Sequence, residues 1–323
     1  MFEMQKTVVE SFGVQAKKIT KEKTYYIVET SEGMRVLRVM QEGAPRILFQ
    51  HALKEFAAGN GFTKTDRFFP SLSGEPYTAA NGEIYVLTEY IEGREANFET
   101  DLLQAAEALA HWHNCTCGVT VPDDAADITP PVFIDEINKQ ISQINQIKKK
   151  VRAQARLSDF DVMFIKHADA YAAQISEASE KLGKLNYTAL QRQAQENNFI
   201  CHNSLKEETV CINGTDVYIT QYNEAARGVP LNDLCSLIRR YARLSADARV
   251  SVADVMEVYN KRRTISESDA EIIYSMLMYP AAFIKTVTQY YSKKRTWTPV
   301  ALLNRMQSVI SGKERYDAYI EKK

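Results

Sequence analysis

Residues 200–220 read ICHNSLKEETVCINGTDVYIT, with His202, Ser204 and Thr209 at relative spacings of two and five. Phosphoryl transfer uses that spacing in the loop H-R-D-x-x-x-x-N, where the aspartate accepts the proton of the attacking hydroxyl and the asparagine holds magnesium. At the aspartate's position Ser204 offers a hydroxyl, which near neutral pH is no base without help. At the asparagine's position Thr209 offers one oxygen, a weaker metal ligand than an amide carbonyl. The second metal carboxylate belongs on the next strand. Counting back from Pro230 and Asp233 places it at Gln221, or at Thr220 if the loop is one residue longer, and neither is a carboxylate. Magnesium prefers charged oxygen, so the loop is expected to have lost the ion that would neutralise transferring phosphates.

Other residues could take part in such chemistry. A strand lysine facing the phosphates would fall at Arg38 in MRVLRVM, which keeps the charge but not the compact ammonium. No G-x-G-x-x-G precedes it, since SFGVQAKKITKEK holds one glycine. Thr88, Glu89 and Tyr90 could bind a nucleobase through their backbone, whatever their side chains. Glu207, Glu208 and Glu224 are the carboxylates placed to stand in for the lost base. Ser204 as a nucleophile would need His202 as its base, a residue expected to pack inward.

The remaining candidates read as structural. His111 and His113 lie two apart, on different faces of a helix, and His51 and His167 have no partner at ligand spacing. Glu92 and Glu95 flank a turn, where solvated charge is common, and Asp123, Asp124 and Asp127 lack the glycine and terminal glutamate of a calcium loop. The 5 cysteines, with a lone C-x-C at Cys115 and Cys117, read as thiols.

The elements that must carry these residues follow from periodicity. YYIVET and MRVLRVM are two strands joined through Ser31-Glu32-Gly33, and Pro45 opens a helix that ends at Gly59-Asn60-Gly61. Turns at Pro70, Gly74, Pro76 and Asn81-Gly82 lead into the strand IYVLTEYI. Leu102, Ala106, Leu109 and Ala110 then recur at helical spacing, and a polar loop with Pro122, Pro130 and Pro131 follows. Further helices are expected from Phe133 to Arg156, with Ile137, Ile141, Ile144 and Ile147 on one face, from Asp161 to Lys184 and from Tyr187 to Asn197. After the short β-like runs FICHN, VCIN and VYIT come helices Leu231 to Arg243, Ser251 to Lys261 and Asp269 to Tyr291. The last would be opened by a capping box of Ser268 with Glu271 and kinked at Pro280.

Composition bounds the answer without choosing it. The 323 residues, 45% hydrophobic and 25% charged, describe an ordinary globular chain with room for two domains or lobes. A formal charge of −1 lacks the field that nucleic acid selects, so nucleic acid is not an expected partner. No run approaches the ~18 apolar residues of a membrane span, and Met1 to Val14 shows no apolar signal region, so synthesis in a cytosol is expected.

Several stretches resemble a known family. They are GEPYTAANGEIYVLTEYIEGREANF, LLQAAEALAHWHNCTCG, CHNSLKEET, VPLNDLCSLIRRY and MLMYPAAFIKTVTQYYSKKRTW, and together they are spread over most of the chain. The chain resembles aminoglycoside and choline phosphotransferases, and more closely the bacterial spore-coat proteins of the CotS type. The resemblance implies an α+β, bilobal protein-kinase-like fold. Its N-terminal lobe, residues 1–92 including the connecting strand, would be a small antiparallel sheet with one helix. The lobe 93–323 would be mostly helical and carry the degenerate loop. It also implies a structural role for Asp233 beneath that loop, beside His202, and deposition on the endospore coat among other coat proteins after synthesis in the mother cell. No metal is expected, and ATP with magnesium only if a replacement carboxylate rescues catalysis; a nucleotide sensor that binds ATP without metal is the remaining alternative.

Overall fold

The computed structural model describes residues 2–126, 128–129, 133–245, 247–292 and 297–321. Asp127, Pro130, Pro131 and residues 293–296 of the SKKRTW stretch lie outside them. The chain divides into two compact units, residues 1–129 with 194–233 and residues 130–193 with 234–323; the lobe boundary expected at residue 92 falls inside the first.

The first unit opens with a helix, α1 (Phe2–Glu10), followed by strands β1 (Ala16–Lys21), β2 (Tyr25–Thr30) and β3 (Gly33–Met40). Helix α2 (Ala44–Gly59) comes next, then β4 (Thr78–Ala80), β5 (Glu83–Glu89), β6 (Arg94–Glu95) and helix α3 (Phe98–Thr116). β7 (Ile200–Cys201), β8 (Val210–Asn213), β9 (Asp216–Ile219) and β10 (Ala226–Arg227) complete it. The main sheet has five antiparallel strands in the order β1-β2-β3-β5-β4. Two smaller sheets, β6-β8-β9 and β10-β7, carry the loop and hairpin of interest.

The period of two along β5 decides what each face of the main sheet buries. Tyr85 and Leu87 point with Leu37 and Val28 into a cluster with Val8, Val9 and Phe12, while Val86 points the other way, toward Met40, Ile47 and Phe68. Each such side chain, removed from water, contributes about 1.5–3 kcal/mol.

α1 and β1 are additions to the expected strand pair with one helix. The helix is short and mixed in character, and its buried side is one polar residue, Gln5, with Val8 and Val9, together with Phe12 just beyond its end. β1, AKKITK, is a charged edge strand whose pattern shows one half-buried isoleucine, too little alternation to stand out in sequence.

The second unit is helical: α4 (Phe133–Arg152), α5 (Asp159–Lys184), α6 (Tyr187–Glu196), α7 (Leu231–Leu244), α8 (Val252–Asn260), α9 (Glu267–Met278), α10 (Ala281–Tyr291), α11 (Pro299–Ser311) and α12 (Lys313–Glu321). The unit boundaries fall within α6 and near the start of α7. The expected long helix to Tyr291 is two helices, because Tyr279 is extended and Pro280 leaves the helical region before α10 begins. Its capping box is also two residues earlier than expected. Ser266, in the extended conformation a cap requires, accepts from Asp269 N at 3.1 Å while the Asp269 carboxylate accepts from Ser266 N at 3.0 Å; Ser268 is already inside α9. Among the described residues no helix is long and apolar enough to cross a membrane.

Candidate functional site

Asp233, in the first turn of α7, is 1% exposed and is the anchor of the loop after β7. Its carboxylate accepts the backbone N–H of His202 at 2.5 Å and of Asn203 at 2.8 Å, and the Nε2–H of His113 from α3 at 3.1 Å. Burial alone would raise its pKa. The hydrogen bond and charge of His113, the nearby His202 and the Asn203 N–H outweigh it and hold the carboxyl below its ordinary value. Asn203 sits at φ 61, the left-handed conformation that asparagine tolerates better than most residues, and this turns the chain into the loop.

His202 has no capacity left for catalysis. Its Nε2–H donates to the Thr220 carbonyl at 3.0 Å, and its Nδ1 accepts the Ser204 N–H at 3.3 Å. Complete burial lowers its pKa, so it is a neutral imidazole wedged edge-on between Trp112 and Tyr222, with ring centroids 5.7 and 5.6 Å away. Ser204 therefore has a backbone contact with this ring and no base: both imidazole nitrogens are committed.

Thr209 and Gln221 are spent on the loop itself. The Thr209 hydroxyl accepts from Lys206 N, and its one hydrogen is shared between the carbonyls of Ser204 and Lys206, each contact at 3.0 Å, and the residue is 1% exposed. Gln221 stands at φ 58 and ψ 69, and its side-chain amide donates to the Glu208 carbonyl at 3.1 Å. An amide N–H can make that bond and a carboxylate cannot. The Thr220 hydroxyl likewise donates to the Thr209 carbonyl, at 3.2 Å. Neither metal position holds a carboxylate, and the Thr209 hydroxyl is committed to backbone groups, although Gln221 still carries an amide oxygen. Among the described residues no group of three His, Cys, Asp or Glu is arranged to hold a metal ion. The positions thus lack the asparagine and carboxylate that a phosphotransferase gives magnesium.

What occupies this place instead is a buried ion pair. Lys54 on α2, 0% exposed, bonds the Asp66 carboxylate and donates to the Asp66 carbonyl at 2.7 Å. Its ammonium lies 4.6 Å from the ring centre of Phe68 and 4.7 Å from that of Tyr222. Asp66 in turn accepts the Gln221 N–H, at 3.2 Å to one carboxylate oxygen and 3.4 Å to the other. Burial lowers the Lys54 pKa, and Asp66 opposes that shift. One helical turn before Lys54 is Gln50, and one before that is Arg46, whose guanidinium donates to the Asn223 carbonyl at 2.9 Å and also bonds the Ala225 carbonyl. Arg46 directly, and Lys54 through Asp66, therefore hold the segment 221–225 against α2 within the first unit, with Gln50 buried between them on the same stripe.

Composition and motif reading missed this stripe. Its signal is in the sequence all the same: three polar residues at i, i+4 and i+8 keep step with the apolar residues Ile47 and Leu53 on the buried side, where an uncommitted charge is costly.

Arg38 lies on β3 between Tyr25 and Val86 in register, its guanidinium 4.6 Å from the ring centre of Tyr25. It lines a small cavity of about 150 Å³ with Gln50, Lys54, Asp66, Gln221 and Asn223. Buried Arg38 Nε and Gln50 Nε2 have no hydrogen-bond partner there. On β5 and just beyond it, the Glu89 carbonyl accepts from the Thr88 hydroxyl at 3.3 Å, and the Tyr90 N–H donates to Met34 O at 3.3 Å. Glu207 and Glu208 form a single 3₁₀ turn inside the loop, and the Glu224 carbonyl accepts the Asn203 side-chain amide at 3.1 Å.

Sheet, hairpin and Asp233-anchored loop define a protein with the fold of protein kinases and small-molecule phosphotransferases. The structure of an aminoglycoside phosphotransferase from Alicyclobacillus acidocaldarius matches 98% of this chain and 93% of its own, with a TM-score of 0.84 and 16% identity. That of spectinomycin phosphotransferase, solved with ADP and spectinomycin, matches 97% of each chain with a TM-score of 0.63 and 9% identity. The chain belongs to the family described as "Spore coat putative kinase YutH", whose model matches residues 5–323. It is also 20% identical over 301 residues to spore coat protein S of Bacillus subtilis (strain 168), covering 91% of this chain and 85% of that protein. The resemblance to CotS-type proteins read from the sequence agrees with both.

Proposed function

We propose that this protein works in the bacterial endospore coat as a pseudokinase, a structural or scaffolding component that transfers no phosphate. On this reading it is made in the mother cell and deposited on the coat, and its partners are other coat proteins. Membership of a spore-coat family supports the location. The observation that carries the absence of catalysis is the commitment of Thr209 and Gln221 to backbone groups of their own loop, beside a serine at the position of the base. Where a phosphotransferase needs a carboxylate base and a metal, this loop uses the same positions to close on itself.

The test is phosphoryl transfer. The purified chain, given Mg-ATP and a panel of aminoglycosides, choline and small amino alcohols, is expected to release no phosphate and modify no acceptor above a protein-free control. Transfer to any acceptor would overturn the proposal. If Ser204→Ala left that transfer intact while alanine at Glu207, Glu208 and Glu224 together abolished it, a replacement carboxylate would be the explanation.

A second reading, a nucleotide sensor that works without metal, is favoured by one feature: the unpartnered Arg38 Nε and Gln50 Nε2 at the 150 Å³ cavity. An anionic group there would satisfy both. Metal-free ATP binding that Arg38→Gln abolishes would select this reading over the scaffold.

A further inference from the structure

The helical unit contains a cavity of about 400 Å³ that the loop chemistry does not involve. It lies within one compact unit, among α5, α7, α10, α11 and α12 and the break before α10. Its size falls in the ordinary range for small-ligand sites.

Charge sets it apart. Arg239, Arg243, Lys285, Arg305, Lys313 and Arg315 line it, against one carboxylate, Asp317. Asp317 is already bridged to Lys313, which leaves five cations with no carboxylate partner among the described residues. Their other contacts do not neutralise them. Arg239 reaches the Met276 carbonyl, Arg243 Nε donates to the Arg239 carbonyl at 3.3 Å, and Arg305 stacks 5.2 Å from the ring centre of Trp297. The Arg239 Nε is buried and unpartnered. Gathering uncompensated guanidiniums is unfavourable unless something negative joins them.

The cavity also has an apolar and hydrogen-bonding wall. Tyr171 is 3% exposed with its hydroxyl unpartnered, and Gln174 offers an unpartnered Oε1, so an organic body with a donor and an acceptor would be satisfied there. Guanidinium forks match phosphate oxygens two at a time, which a single lysine does not.

We propose that this cavity is a binding site for a small phosphorylated compound carrying two or more negative charges. It lies apart from the degenerate loop in composition and in compact unit, and it does not depend on whether the protein transfers phosphate.

Inorganic pyrophosphate is the probe, titrated calorimetrically into the full chain, with Arg243→Gln and Lys285→Gln as variants. Both side chains are exposed and lie on different helices, so each variant should melt close to wild type. The expected result is one site, bound more tightly than monophosphate, weakened about tenfold by each variant and unchanged by Arg38→Gln. Absence of pyrophosphate binding, or binding that both variants leave intact, would overturn the proposal. Loss of binding in Arg38→Gln alone would also overturn it and place the anion in the cavity beside the loop.

Discussion

Lys54→Met is the sharpest perturbation of the site. Methionine keeps the length and apolar stem of lysine and removes the ammonium, so packing changes little while the Asp66 carboxylate, 8% exposed, loses its counter-ion. Breaking one side of a buried pair costs about 3–5 kcal/mol, because the remaining charge is left uncompensated. Two further losses act in the same direction: the bond from Nζ to the Asp66 carbonyl, and the ammonium's contacts with the Phe68 and Tyr222 rings. With an unfolding entropy of about 2.1 cal/mol/K per residue, a chain of 323 residues loses roughly 1.5 °C of melting temperature per kcal/mol, so a fall of about 6 °C is expected. Differential scanning calorimetry reads it directly. The partner substitution sharpens the argument: Asp66→Asn in the Lys54→Met background should cost less than the sum of the two single changes, since the carboxylate no longer needs a cation. A Lys54→Met protein melting within about 2 °C of wild type would refute the claim that the pair holds the segment at Gln221.

Three further outcomes follow from the same geometry. Asp233→Asn keeps the shape but weakens the acceptor for three donors, His202 N, Asn203 N and His113 Nε2, and sets an amide against one of them; a loss of about 2–4 kcal/mol in urea unfolding is expected. His202 has a folded-state pKa below its unfolded value near 6.5, so the unfolded chain binds the extra proton and stability is lost as pH falls below about 6.5, by up to ~1.4 kcal/mol per unit until the folded pKa is reached. Melting temperature against pH from 7.5 to 5 should therefore slope less in His202→Gln than in wild type. Ser266→Ala should cost about 1 kcal/mol while Ser268→Ala costs a few tenths at most, because the cap of α9 is the earlier serine.

How legible the protein was in sequence depended on the kind of signal. The fold was readable where periodicity and turn chemistry agreed, as in YYIVET, MRVLRVM and the helix from Pro45, and where stretches resembled a known family. α1 and β1 escaped because each shows only two or three apolar residues on its buried side, and the capping box was misplaced because Ser266-x-x-Asp269 and Ser268-x-x-Glu271 overlap in the same five or six residues. α11 and α12 lie beyond Tyr291, where the last helix expected from periodicity ends. The identities of Ser204, Thr209 and Gln221 could be read by counting, but not what those side chains bind, since that depends on the left-handed turns at Asn203 and Gln221. The Lys54–Asp66 pair joins α2 to the loop that follows it and is invisible to any motif. His113, in HWHN, reads as a packing residue until α3 is seen to bring it to Asp233, far along the chain.

A working metal centre is what the proposed pseudokinase would lack, and nucleotide binding with and without magnesium tests that most directly. A ligand at about 100 times its dissociation constant adds roughly 2.7 kcal/mol of stability. The melting temperature in millimolar ATP is predicted to be the same whether magnesium or a chelator is present. A rise that requires magnesium, and that Thr209→Ala or Gln221→Ala removes, would contradict it.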